Sequence, residues 1–182
     1  MRSFALERED GNVLLYGAET TPALAVLERR YLGHWHEAMF AAELDGTPTF
    51  VHERDRGPAE SRTTIGGTFS ERATLGDLEL IPMPGHTAGS TAFLWDAGDH
   101  RLLFTADTIY FDDREWVAAV NVSGADRDAY VESLELLREL EFDVLVPWAA
   151  TAGQPPHAMT DGTDARRRIG AILDRVRRGE DR

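Results

Sequence analysis

Apolar residues along this chain switch between two periods, every second position and every third to fourth, and the switches predict alternating strands and helices. Residues 4–7 and 13–16 alternate around an Asp10-Gly11 turn and read as a short hairpin. Thr21-Pro22 then supplies a cap and a first-turn proline, and Leu24, Leu27 and Tyr31 recur at helical spacing. A second short helix is expected over residues 37–44 and a strand over 47–52, followed by a loop over 54–67 that holds Arg56, Gly57, Pro58 and the Gly66-Gly67 pair. Between residues 68 and 105 the pattern is that of strands, centred on 78–83, 91–95 and 101–105, with turns at Gly76-Asp77 and Gly98-Asp99. Asp126 caps a helix predicted to run to Leu140, with Tyr130, Leu134, Leu137 and Leu140 on one face. A buried strand over 144–146 ends at Pro147, and a last helix over 164–178 carries Ile169, Ile172, Leu173 and Val176 as its apolar stripe. Strands interleaved with helices around a central meander predict a layered α/β fold, and without repeats or a linker the whole of residues 1–182 reads as one domain.

Composition narrows the chemistry. Apolar residues make up 42% and charged residues 28% of the 182, which is globular rather than disordered. There is no cysteine, so disulfides, thiolate ligands and a cysteine nucleophile are excluded, and any metal must be held by nitrogen and oxygen. All 19 basic residues are arginine, against 32 acidic ones, for a net charge of −13. That charge repels phosphate backbones and argues against nucleic acid as a partner. No apolar run approaches the roughly 20 residues of a membrane span, and the N-terminal MRSFALERED is charged where a signal peptide is apolar, so a cytoplasmic protein is expected.

Two places stand out. In Gly33-His34-Trp35-His36-Glu37, histidines at i and i+2 on extended backbone would point to one side and reach one ion, although such a pair alone is weak evidence of a ligand set. In the second, His86 follows a Pro84-Gly85 turn, and about twenty residues on, an apolar strand ends at Asp107. A carboxylate at a strand end is placed where a sheet presents polar groups to a cleft; its plainer role is a turn or cap. His52 and His100 read as surface residues, and Trp35, Trp95, Trp116 and Trp148 as core or pocket walls.

The run PGHTAGSTAFL (84–94) followed by LLFTADT (102–108) resembles the metallo-β-lactamase superfamily, and the order of the other elements agrees. The resemblance implies a four-layer αββα sandwich. It also implies a two-zinc hydrolase centre built from an H-x-H-x-D-H motif, a turn histidine, a bridging aspartate and a final histidine. His34 and His36 match the first two histidines, His86 the turn histidine and Asp107 the bridging aspartate, so the first metal site is complete. The second is not: Ala38 and Met39 stand where the motif has aspartate and histidine, and Trp148-Ala149-Ala150 follows Pro147 where a histidine is due. Glu37 and His157 are the nearby substitutes, and the Trp148 indole would occupy the vacated space.

The expectation is one ion, zinc with iron as the alternative, held by His34, His36, His86 and Asp107. A metal-bound hydroxide would hydrolyse a small ester, lactone or similar substrate, with Asp107 as fourth ligand or general base. Two other readings stand beside it. One is a mononuclear iron enzyme similar to persulfide dioxygenases, using His34, His86 and Asp107. The other is a non-catalytic protein that keeps the fold and at most a structural metal. The expected partner is a small molecule, with neither nucleic acid nor membrane; the oligomeric state is left open. Phe111, Asp112, Asp113 and Trp116 are expected to border the cleft, and the arginine-rich last helix offers a face to an acidic neighbour.

Overall fold

A computed structural model describes residues 1–18, 26–44, 46–113, 115–150 and 152–180. The first sheet holds β1 (Phe4–Leu6), β2 (Val13–Leu15), β3 (Arg29–Tyr31), β4 (Thr49–His52) and β5 (Gly67–Phe69) in that order. β1 and β2 form the antiparallel hairpin, with Phe4 opposite Leu15, and β2 to β5 run parallel. α1 (Arg56–Glu60) lies between β4 and β5. The second sheet is built from β6 (Ala73–Leu75), β7 (Leu78–Pro82), β8 (Thr91–Asp96) and β9 (Arg101–Ala106) as an antiparallel meander. A separate hairpin, β10 (Tyr110–Asp112) and β11 (Glu115–Val117), follows, then α2 (Arg127–Arg138). β12 (Val144–Pro147) returns parallel to β9, β13 (Ala158–Met159) closes that edge, and α3 (Gly162–Arg177) ends the chain.

The period-two pattern sorts the strands' side chains into two cores. Leu78, Leu80, Phe93, Phe104, Val144 and Val146 point between the sheets and meet Leu6, Val13, Leu15 and Tyr31 of the first sheet. Their sequence neighbours Ile81, Ala92, Leu94, Leu103 and Leu145 point outward, where Tyr130, Leu134 and Leu137 of α2 and Ile169, Ile172 and Leu173 of α3 cover them. A smaller third core, Leu32, Ala38, Val51 and Ala59, lies around α1 and the turn after β3. Helix, sheet, sheet and helix thus stack in the four-layer order that the resemblance implied. α2 starts at the expected cap, Asp126, which accepts from the Asp128 and Ala129 N–H groups, and α3 starts two residues earlier than expected, with Asp161 accepting from the Thr163 and Asp164 N–H groups.

Several local expectations need correction. The start of the helix expected at Thr21-Pro22 lies outside the described residues, but Tyr31, placed on it by spacing, belongs to a strand. Arg29–Tyr31 pairs with β2 and β4 on both edges, and that pairing overrides the local period. The helix expected over 37–44 is a single 3-10 turn, Trp35–Met39, and the loop over 54–67 contains α1. Phe111 and Trp116 are buried under α3 instead of bordering a cleft, with the Arg168 guanidinium 5.2 Å from the centre of the Trp116 indole. Apart from these corrections, arginines of α3 form ion pairs within the chain while several stay largely exposed: Arg166 with Glu141, Arg167 and Arg168 with Asp164, and Arg177 with Glu135.

Candidate metal centre

β3 leads directly into the site. Gly33 passes so close to the end of β9 that a Cβ on it would lie 2.5 Å from the Ala106 Cβ and 2.9 Å from Glu37 Oε1. His34 follows in extended conformation (φ −167°, ψ 166°), and the chain then curls into the Trp35–Met39 turn. The histidine pair is therefore not on one extended strand, as the spacing suggested. The curl brings His36 back toward His34, with ring centres 5.1 Å apart, and the two rings still meet at one point. Glu37, weighed from the sequence as a substitute ligand, is instead the residue that fixes His34. Its fully buried carboxylate accepts from the Gly33 and Gly17 N–H groups at 3.1 Å each and from His34 Nδ1–H at 3.0 Å. With Nδ1 committed, Nε2 of His34 faces the site.

His86 is oriented in the same way from the other side. Gly85, at φ +143°, lies against α2 where a Cβ would come within 2.6 Å of the Tyr130 Cα. The next residue is His86, whose Nδ1–H donates to the Ala119 carbonyl at 2.7 Å, leaving Nε2 3.0 Å from His36 Nδ1. One ring nitrogen from each of His34, His36 and His86 lies within 4.8 Å of the other two.

The two histidine-bearing turns are tied together by a residue that sequence reasoning missed. Asp55, buried at 2% exposure, accepts from Trp35 N–H (3.0 Å), Thr87 Oγ1–H (2.6 Å) and Gly89 N–H (2.9 Å). Trp35 sits between two of the histidines and Thr87 follows the third. A Cβ on Gly89 would lie 2.7 to 2.9 Å from Asp55 atoms, which is why that position needs glycine. Nothing in the sequence distinguishes Asp55 from a solvated loop aspartate, because its donors come from segments 20 and 34 residues away.

Asp107 stands at the end of β9 as expected, and the chain is bent sharply to present it. Ala106 has φ +48°, in the left-handed region where an alanine is strained. Its N–H donates to the Tyr16 hydroxyl and its carbonyl accepts from Trp148 N–H, so both backbone groups are held. Oδ2 of Asp107 then lies 3.4 Å from His34 Nε2 and 3.8 Å from His86 Nε2.

These groups shape one another's protonation. Burial works against a proton on His34, but the carboxylates of Asp107 and Glu37 outweigh it and carry its pKa up to about 10. His36 is pushed down to about 4 by burial and by the charges of His34 and His86, and His86 is lowered for the first two of those reasons, burial and His34. Burial opposes the charge on Asp107, yet the surrounding imidazoles hold it below the usual carboxylate range. The cluster thus favours one positive charge among three rings. Two buried atoms there, His34 Nε2 and Asp107 Oδ1, have no hydrogen-bond partner. Orphaned buried donors and acceptors are costly. A cation among three imidazole nitrogens, with a carboxylate beside it, suits this set of donors.

The remaining candidates fall away from the centre. His52 is buried and bonded through both nitrogens, accepting from Arg54 N–H and donating to the Ser70 carbonyl, so it is a core residue instead of a surface one. His100 and His157 are exposed, and Met39 is 46% exposed. Trp148 is buried with its ring 5.2 Å from that of His34 and 5.7 Å from Phe40, and its Nε1–H donates to the Gly17 carbonyl. A cleft of about 540 Å³ opens beside His86 and Asp107, walled by Tyr110 and by residues 118, 119, 121, 122 and 149.

A sequence profile of the metallo-beta-lactamase superfamily matches residues 11–149. The chain belongs to that superfamily, whose members are typically metal-dependent hydrolases. An uncharacterized protein of Mycobacterium leprae (strain TN) is 25% identical over 178 residues, covering 85% of this chain and 77% of its own. Among solved structures, the subclass B3 metallo-β-lactamase of Bradyrhizobium japonicum matches with a TM-score of 0.65 at 16% identity, covering 97% of this chain and 86% of that one. A metallo-β-lactamase from Hirschia baltica gives 0.68 at 14% identity, covering 94% and 84%. These likenesses show the fold. No described helix is long and apolar enough to cross a membrane.

Proposed function

We propose that the protein hydrolyses a small ester, lactone or similar substrate with a single metal ion, zinc or alternatively iron. His34 Nε2, His36 Nδ1 and His86 Nε2 would hold the ion, with Asp107 as fourth ligand or proton acceptor. The observation that carries this reading is the meeting of three imidazole nitrogens within 4.8 Å, with His34 Nε2 and the neighbouring Asp107 Oδ1 lacking a hydrogen-bond partner. A bound cation would supply Lewis acidity toward a carbonyl oxygen and a water.

The chain's own residues supply the rest. Glu37 and the Ala119 carbonyl fix the His34 and His86 rings. Asp107 offers a carboxylate kept ionised by its neighbours, able to take a proton at the mouth of the cleft. That only one ion is held is supported by Ala38, Met39 and Trp148. A methyl group, an exposed thioether and a packed indole stand where further donors would be needed. A single folded domain across residues 1–182 and a cytoplasmic location belong to the same proposal. The first is supported by cores whose members run from Leu6 to Val176.

The test is turnover of a panel of neutral esters and lactones by zinc-loaded protein beside His86→Ala. Zinc-dependent hydrolysis that is lost in the variant is expected. Oxygen consumption with a persulfide in the iron-loaded form would replace this reading with the oxygenase. Metal binding without turnover of any substrate would replace it with the non-catalytic reading.

A further inference from the structure

We propose that the cleft beside the three histidines accepts ligands whose non-reacting arm is uncharged and discriminates against arms ending in a carboxylate; as a statement about substrates, this rests on the hydrolase reading. Beyond His86 and Asp107, the lining includes the apolar residues Ala118, Ala119, Val122 and Ala149. The polar side chains among them, Tyr110 and Asn121, are neutral amphoteric hydrogen-bonding groups. Among the described residues, no arginine lines the cleft, and its His86 and Asp107 belong to the histidine cluster.

Among the described residues, neither the wall nor the nearby arginines offer a carboxylate a cation. Ala119 has both backbone groups engaged: its carbonyl accepts from His86 Nδ1–H and its N–H donates to the Tyr130 hydroxyl. These bonds tie Ala119 of the wall to the histidine cluster. Arg175 donates to the Trp116 carbonyl and lines a different depression, together with Asp112, Asp113 and Glu115. Arg168 is held by Asp164 over the Trp116 ring. An anionic arm laid along this wall would lose water and gain no cation in return. A neutral arm places its methylenes on the alanine and valine groups and its polar atom against Asn121 or Tyr110. The net charge of −13 adds repulsion before contact.

The probes are hexanohydroxamic acid and the monohydroxamate of adipic acid, equal in length and differing in a terminal methyl or carboxylate. Each is titrated into isotope-labelled protein, with and without one equivalent of zinc, and the backbone amide shifts of Ala119, Asn121 and Val122 are followed. The neutral probe should move these signals and bind about tenfold more tightly or better than the anionic one. Asn121→Arg, at an exposed rim position, should narrow or invert that ratio. Equal or tighter binding of the carboxylate probe to the parent, no shift at these amides, or an unchanged ratio in Asn121→Arg would each overturn the assignment. Ester turnover measured on the same preparation keeps the two proposals apart. Hydrolysis without charge discrimination removes this inference alone, and discrimination without hydrolysis removes the hydrolase reading and leaves the preference as one for ligands of the cleft.

Discussion

Replacing Asp55 with asparagine changes no volume and touches none of the three histidines, yet it should weaken both the fold and the metal centre. Asp55 Oδ2 accepts from Trp35 N–H and from the Thr87 hydroxyl, and Oδ1 accepts from Gly89 N–H. An asparagine can keep its oxygen toward the first pair, but its amide nitrogen then faces the Gly89 N–H, donor against donor. One buried N–H left unpaired costs about 1–3 kcal/mol, and the two surviving bonds lose their charge assistance. The sum is about 2–4 kcal/mol, a large share of the roughly 5–15 kcal/mol that stabilises a domain. Because the lost bond joins the turn bearing His86 to the loop beside the one bearing His34 and His36, zinc affinity should fall as well. Urea unfolding of metal-free protein reads the first effect, and competition with a chelator reads the second. A stability change below about 1 kcal/mol together with unchanged zinc affinity would refute the role given to Asp55.

Three further substitutions test neighbouring parts of the account. Glu37→Gln turns an amide N–H₂ toward one of three donors, so zinc affinity should drop by about 10- to 100-fold by chelator competition, while the far-UV spectrum stays native. Gly33→Ala pushes a methyl into the Ala106 Cβ and Glu37 Oε1, and the thermal midpoint should show a loss of about 1–3 kcal/mol. Tyr130→Phe removes the hydroxyl that donates to the Thr108 carbonyl and accepts from Ala119 N–H, at a cost of about 1–3 kcal/mol in urea. In that variant the amide of Ala119 should exchange faster with solvent.

What the sequence disclosed and what it withheld divide along a physical line. The meander, the two long capped helices and the alternating core positions of β7, β8, β9 and β12 were legible, because period and caps are local signals. His34 and His36 were legible as candidates through their i, i+2 spacing, and His86 and Asp107 through the PGHTAGSTAFL and LLFTADT runs; the four do meet in space. The strand at Arg29–Tyr31 was not, since its edge partners β2 and β4 lie elsewhere in the chain. Asp55, Tyr16 and Tyr130 escaped for the same reason. Each acts through hydrogen bonds to segments between 11 and 130 residues distant, which no local pattern encodes. Glu37 takes a role other than the ligand that its position suggests: the chain curls where the i, i+2 spacing predicts extended backbone, and the curl turns its carboxylate onto the back of His34.

The central claim is that one ion is held by these three histidines and that no second site survives. Calorimetric titration of chelator-stripped protein with zinc measures it most directly, in the parent and in His86→Ala. One zinc per chain is expected in the parent, with loss of tight binding in the variant. Two zinc ions per chain, or one ion bound equally well by His86→Ala, would contradict it.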